Sequence, residues 1–162
     1  MYQLLQIITL ILAAVAMALS LAHALELPGK RRLDRDTYLA MQLVYYPGFT
    51  FGGVSEPLGI VATLTLLALT PPTGAIFWLV LVGLLALIAM HIVFWTVTQP
   101  INKYWLAGKD LSGPCARFFG NAPGEPRQEW TQLRTRWEYS HLARAVLAVI
   151  AFLSLAAAVT YS

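Results

Sequence analysis

Charge is scarce in this chain, and over most of its length positive charge is missing altogether. Only 12% of the 162 residues are charged, well below the about 25% of a soluble domain. The eleven Lys and Arg all fall in segments 26–47 and 100–144, and none lies elsewhere. The intervening apolar runs are long and continuous, which excludes a core buried in water from short, periodic stretches. A single cysteine, Cys115, excludes an intrachain disulfide. Zinc-finger and RNA-binding signatures are also missing, and the basic residues hug the ends of apolar runs. They read as topology signals and lipid-headgroup contacts, so no nucleic-acid partner is expected. No linker or internal repeat divides the chain, and residues 1–162 read as a single transmembrane domain.

What is present is four apolar runs. A helix needs about 20 apolar residues to cross ~30 Å of hydrocarbon. The runs predict spans over about 4–25, 48–70, 75–99 and 141–160, with segments 26–47 and 100–140 between them. Ala22-His23-Ala24 resembles a signal-peptide cleavage site, but the run lacks a basic n-region and is too long, so a retained span is expected. Loops rich in Lys and Arg face the cytoplasm. Both basic segments are therefore placed inside and both termini outside. The expected fold is an all-α integral membrane four-helix bundle in a bacterial inner membrane, with periplasmic termini.

Smaller signals refine this picture. Leu33-Asp34-Arg35-Asp36-Thr37 is a helix start, and Tyr38, Leu39, Met41, Gln42, Val44, Tyr45 and Tyr46 continue it, so a short interfacial helix is expected after the first span. Residues 107–127, rich in Gly, Pro, Asn and Ser, read as an irregular loop. From about Pro126 a helical pattern resumes. Trp130, Arg134, Trp137, His141 and Arg144 then share one face at 100° per residue, so the last helix should extend into the cytoplasm. Pro100 is expected to end or kink the third span. Trp95, Trp105, Trp130 and Trp137 read mostly as an aromatic belt, with one or two free to line a pocket.

Ionisable groups are costly in hydrocarbon and persist mostly where they do something. All three histidines and three of the glutamates lie on or near spans. His23 and Glu26 are three apart on the first helix, Glu138 and His141 three apart on the fourth, and each pair shares a helix face. Glu56 lies in the second span and His91 in the third. At ~1.5 Å per residue, His23 and His141 sit roughly 6–8 Å deep and Glu56 and His91 roughly 12–13 Å deep, all in the inner half. Carboxylates and imidazoles converging from four helices suit paired iron or manganese. His23, Glu26, Glu56, His91, Glu138 and His141 are therefore candidate ligands for one or two iron, copper or zinc ions. Paired-iron sites usually use four carboxylates and only three are at hand, so a metal-free polar pocket and scattered structural groups stay open. Arg144 either snorkels to the headgroups or pairs with a buried carboxylate such as Glu56. Asn102 either caps carbonyls freed by Pro100 or contacts the fourth helix.

Several of these stretches resemble a known group. They are His23-Ala-Leu-Glu26-Leu-Pro-Gly-Lys30, Tyr38, Gln42-Leu-Val-Tyr45, Glu56-Pro57, Thr98-Gln-Pro100-Ile-Asn102 and Trp137-Glu138-Tyr-Ser-His141-Leu-Ala-Arg144. The chain resembles small bacterial four-span membrane proteins of a domain-of-unknown-function family similar to anthrone oxygenases. Pro100, Asn102, Trp137 and Arg144 carry the likeness to anthrone oxygenases themselves. The His23–Glu26 and Glu138–His141 pairs are similar to the bacterial subgroup, and His91 maps onto neither. The resemblance implies oxidation of an anthrone to an anthraquinone by dioxygen without a dedicated organic cofactor.

Together these readings predict a membrane oxidoreductase acting on a lipophilic aromatic or quinone-like compound near the cytoplasmic leaflet. His141 or His23 would be the general base. Arg144 and Asn102 would stabilise oxyanion charge. The partners expected are membrane lipids and a lipophilic small molecule, with a homo-oligomer or a larger membrane complex open. The alternative is a non-catalytic subunit or a small-molecule-binding module of such a complex.

Overall fold

The computed structural model describes residues 1–45, 47–106 and 129–161. Among them the secondary structure is helical throughout, without strands. Helix α1 spans Tyr2–Lys30. A short α2, Arg35–Met41, runs into a 3-10 turn at Gln42–Tyr45. Helices α3, Gly48–Gly52, and α4, Ser55–Leu69, follow. Helix α5, Gly74–Val93, passes through a π turn, Phe94–Thr98, into α6, Gln99–Trp105. Helix α7 spans Trp130–Thr160. Four stretches are long and apolar enough to cross a membrane: Tyr2–Lys30, Gly48–Leu69, Gly74–Trp105 and Trp130–Thr160. The irregular loop expected at 107–127, the helix start near Pro126 and Cys115 lie outside the described residues.

The four long helices close a ring. Helix α1 packs on α4 and α7, and α5 packs on α4 and α7. Helix α7 sits tightly because its inward stripe is small: Ala145, Ala148, Ala151 and Ala158 are all buried, at helical spacing. Gly83 on α5 meets this stripe so closely that an added Cβ would stand 2.9 Å from Leu155 Cγ. Leu4, Ile7, Ile11, Leu64, Leu85 and Leu153 point outward and are exposed. Such a belt is costly in water and suits lipid tails.

Element ends follow local chemistry. Asp34 caps α2, accepting from the Thr37 N–H at 3.0 Å, as its position at the helix start predicts. The turn before α5 is made at Gly74, whose φ of +82° suits a residue without Cβ. Helix α1 does not stop at Leu25. It continues through Pro28, and Lys30 in its last turn pairs with Glu26 one turn earlier. The third span likewise passes Pro100 instead of ending there. The wider π turn just upstream moves the backbone carbonyls away from the proline ring, and the helix then resumes. Glu56 and Pro57 lie in the first turn of α4, after a break at Gly53 and Val54. The second span is thus interrupted just before Glu56-Pro57.

The tryptophans form no simple belt. Trp105 and Trp137 are buried, Trp130 is half-buried, and Trp95 is exposed. The α2 segment also packs inward, and Tyr38 is fully buried against Trp105 and Trp137.

Candidate functional site

Two polar clusters occupy the basic end of the bundle, each built round a cation. The first centres on Arg144 of α7. Its Nη2 donates to Glu56 Oε2 of α4 at 2.7 Å, and its Nη1 lies 3.4 Å from His141 Nδ1. Glu56 Oε1 lies 3.1 Å from His91 Nδ1 of α5. Trp95 Nε1 donates to His91 Nε2 at 2.9 Å. Of the two fates open to Arg144, the structure therefore selects the buried carboxylate. The Glu56–Arg144 pair joins α4 to α7, which face each other across the ring.

The second cluster centres on Lys30, which is 2% exposed. Its ammonium lies 2.9 Å from Glu26, 3.3 Å from His23 Nδ1 and 3.9 Å from Glu138. The rings of Tyr45 and Trp137 lie 4.9 Å from the ammonium. Tyr38 donates to Glu138 at 2.9 Å, and Tyr45 to Glu26 at 2.6 Å. Burial, then the neighbouring Glu138, pushes the Tyr38 phenol far above its ordinary range. Burial, then the hydrogen bond to Glu26, does the same to Tyr45. Both phenols therefore stay protonated donors. The clusters meet where the His23 and His141 rings lie with centroids 4.0 Å apart, their planes tilted by 39°.

Between these groups lies a cavity of ≈ 380 Å³. His23, Glu56, His91, Asn102, His141 and Arg144 all line it. Its remaining wall is mostly apolar and aromatic, including Leu19, Phe49 and Trp137. Phe51, Val54 and Trp95 line it too and are at least half exposed on the outer face, at 61%, 50% and 50%. Asn102 contacts the fourth helix, accepting from Trp137 Nε1 at 2.7 Å. Glu26 and Glu138 face Lys30 and do not line the cavity.

The six candidate metal ligands are thus divided. Among the described residues, no three His, Cys, Asp or Glu side chains stand where they could hold a metal ion. The expected iron, copper or zinc grouping of His23, Glu26, Glu56, His91, Glu138 and His141 is not supported. The physical reason is that cations of the protein itself stand among these groups. Lys30 lies among His23, Glu26 and Glu138, and Arg144 between Glu56 and His141. Lys30 and Tyr38, read from the sequence as headgroup contacts, are instead buried. The available signal was the i, i+4 spacing of Glu26 and Lys30 on α1.

Fold and cavity together define a multi-pass helical membrane protein with a buried, charge-lined pocket. The sequence profile of the anthrone oxygenase family matches residues 41–154. The chain belongs to that family and is a membrane oxygenase-like protein. Among curated proteins and among solved structures, none matches it. The matched range contains Glu56, His91, Asn102, His141 and Arg144, and leaves out His23, Glu26, Lys30 and Tyr38.

Proposed function

We propose that this protein oxidises a flat, lipophilic aromatic C–H acid with dioxygen in the cavity beside Arg144. The observation that carries the reading is the Glu56–Arg144 ion pair on the wall of an otherwise apolar cavity, inside the family-matched range. A cavity of ≈ 380 Å³ suits a ligand of a few fused rings. Its partly exposed rim of Phe51, Val54 and Trp95 lets such a ligand enter sideways from lipid. With the basic segments inside, that rim lies in the cytoplasmic leaflet.

The chemistry fits an anthrone. Its methylene, between two aromatic rings and conjugated with a ketone, loses a proton to leave a delocalised anion. Dioxygen oxidises that anion. Both methylene hydrogens leave with one oxygen atom as water, and the other oxygen becomes the new carbonyl of an anthraquinone. Arg144, with Asn102 beyond it, supplies positive potential and donors for the anion's oxygen. His23 and His141, in contact on the same wall, bring imidazole nitrogens to it. The protein's contribution is to favour the anion and to hold it apart from water.

The test is oxygen uptake by the full chain in lipid vesicles with anthrone, followed by anthraquinone absorbance. One anthraquinone per dioxygen above the uncatalysed rate is expected, and Arg144→Met should remove it. Anthraquinone binding without oxygen uptake would instead favour the small-molecule-binding module.

A further inference from the structure

The donors and acceptors along the Arg144 cluster are determined from its two ends. Indole N–H and guanidinium groups only donate. Trp95 Nε1 lies 2.9 Å from His91 Nε2, so that nitrogen accepts and carries no proton. The ring's proton is then on Nδ1, where Glu56 Oε1 receives it at 3.1 Å. Arg144 Nη1 faces His141 Nδ1 at 3.4 Å, so His141 Nδ1 accepts and its proton is on Nε2. The two imidazoles are therefore opposite tautomers. His91 offers a lone pair at Nε2, and His141 offers an N–H. Access separates them further. The His91 side chain is 31% exposed, whereas His141 is 3% exposed and its Nε2 is buried.

We propose that His91, aligned by Glu56, is the group that takes the substrate's proton, and that Trp95 is a removable cover on its Nε2. This rests on the reading of the cavity as a site for C–H acid oxidation. A carboxylate that holds one imidazole nitrogen as a donor leaves the other as a directed base. Trp95 sits in the π turn and is half exposed, so its ring can swing toward lipid without opening the core. A substrate arriving over Phe51 and Val54 meets Trp95 at the same rim. In the step itself the methylene C–H bond breaks and its electron pair stays in the ring system and carbonyl. The proton bonds to His91 Nε2, forming an imidazolium that Glu56 stabilises. Dioxygen is the oxidant that then takes the electrons.

The experiment uses the full chain in lipid with anthrone and with methylene-deuterated anthrone as probes. His91→Gln keeps an amide donor for Glu56 and an oxygen acceptor for Trp95, but has no basic nitrogen. It should lower kcat on the order of 100-fold or more. Trp95→Phe removes the indole N–H that covers Nε2 and keeps an aromatic rim, so it should shift the His91 Nε2 nitrogen-15 signal while the proton stays on Nδ1, and an unmoved Nε2 signal overturns the cover. A His91→Gln protein with wild-type kcat overturns the assignment. A second measurement does not depend on turnover. Nitrogen-15 spectra of labelled protein, assigned by loss of signals in His91→Gln, should show His91 protonated at Nδ1 and bare at Nε2. The reverse tautomer overturns the proposal. If wild-type protein leaves anthrone unoxidised, the proposed function fails by itself, and these spectra still decide which nitrogen carries the proton.

Discussion

The clusters round Lys30 and round Arg144 use nearly the same parts and end in different states. Each has one cation, at least one buried carboxylate and a histidine. Around Lys30 the polar groups turn toward one another: Tyr38 and Tyr45 donate to the two carboxylates, and aromatic rings close over the ammonium. Lys30 and Glu138 are each 2% exposed and neither lines the cavity. Around Arg144 the line of bonds ends at His91 and Trp95, where the wall opens outward. Buried charge can therefore knit α1, α2 and α7 together in one place and face a cavity in another. What separates the two outcomes is the cover, which is two tyrosines and a tryptophan packed inward in one case and the half-exposed Trp95 at the rim in the other.

The comparison is broken most sharply by removing each cation. Arg144→Met leaves Glu56 buried without its 2.7 Å partner. Loss of one partner from a buried ion pair costs about 3–5 kcal/mol, so the variant should show a large fall in Tm in detergent together with loss of oxygen uptake. Lys30→Met should cost less, roughly 1–3 kcal/mol, because Glu138 keeps Tyr38 and Glu26 keeps Tyr45. The protein that remains folded should still bind anthraquinone with wild-type affinity, measured by tryptophan quenching. Equal loss of binding in both variants would erase the distinction between the clusters.

A smaller effect sharpens it. Tyr38→Phe removes a donor from buried Glu138 and should lower stability by about 1–2 kcal/mol. The Tyr38 phenol is raised from 10.0 in the folded state, so the folded form holds its proton more tightly. Its contribution is complete below pH 10 and is lost as pH rises beyond that value. Thermal unfolding should thus fall off above pH 10 in wild type and less steeply in Tyr38→Phe. Smallest is Asp34→Ala, which removes the exposed cap of α2. Amide exchange should quicken over Arg35–Met41 while anthrone turnover is unchanged. Hydrogen bonds from Thr37 hold the Asp34 carboxyl below its ordinary range, so this cap's contribution is present at neutral pH and lost as pH falls through that lowered value.

Much of the fold was legible before any coordinates. Long apolar runs locate four spans, and Asp34 announces α2, because both signals are local. Of the two outcomes expected at Pro100, an end to the helix did not follow, because a π turn just upstream lets the span pass the proline. Of the eight candidate site residues, His23, Glu56, His91, Asn102, His141 and Arg144 line one cavity, whereas Glu26 and Glu138 turn to Lys30. Which of them touch was not visible. The i, i+3 spacing of Glu138 and His141 suggests a unit, yet Glu138 turns to Tyr38 and Lys30 while His141 meets Arg144 and His23.

Sequence by itself determined that this chain is a helical membrane protein with polar groups confined toward one end of its spans, because hydrocarbon tolerates only certain residues at each depth. Only the tertiary structure decided that Lys30 and Arg144 stand among the would-be metal ligands, and that Glu56 and Trp95 bracket the His91 ring. Partner choice across helices depends on rotation, kink and close approach of separate segments, and no spacing along one helix encodes these.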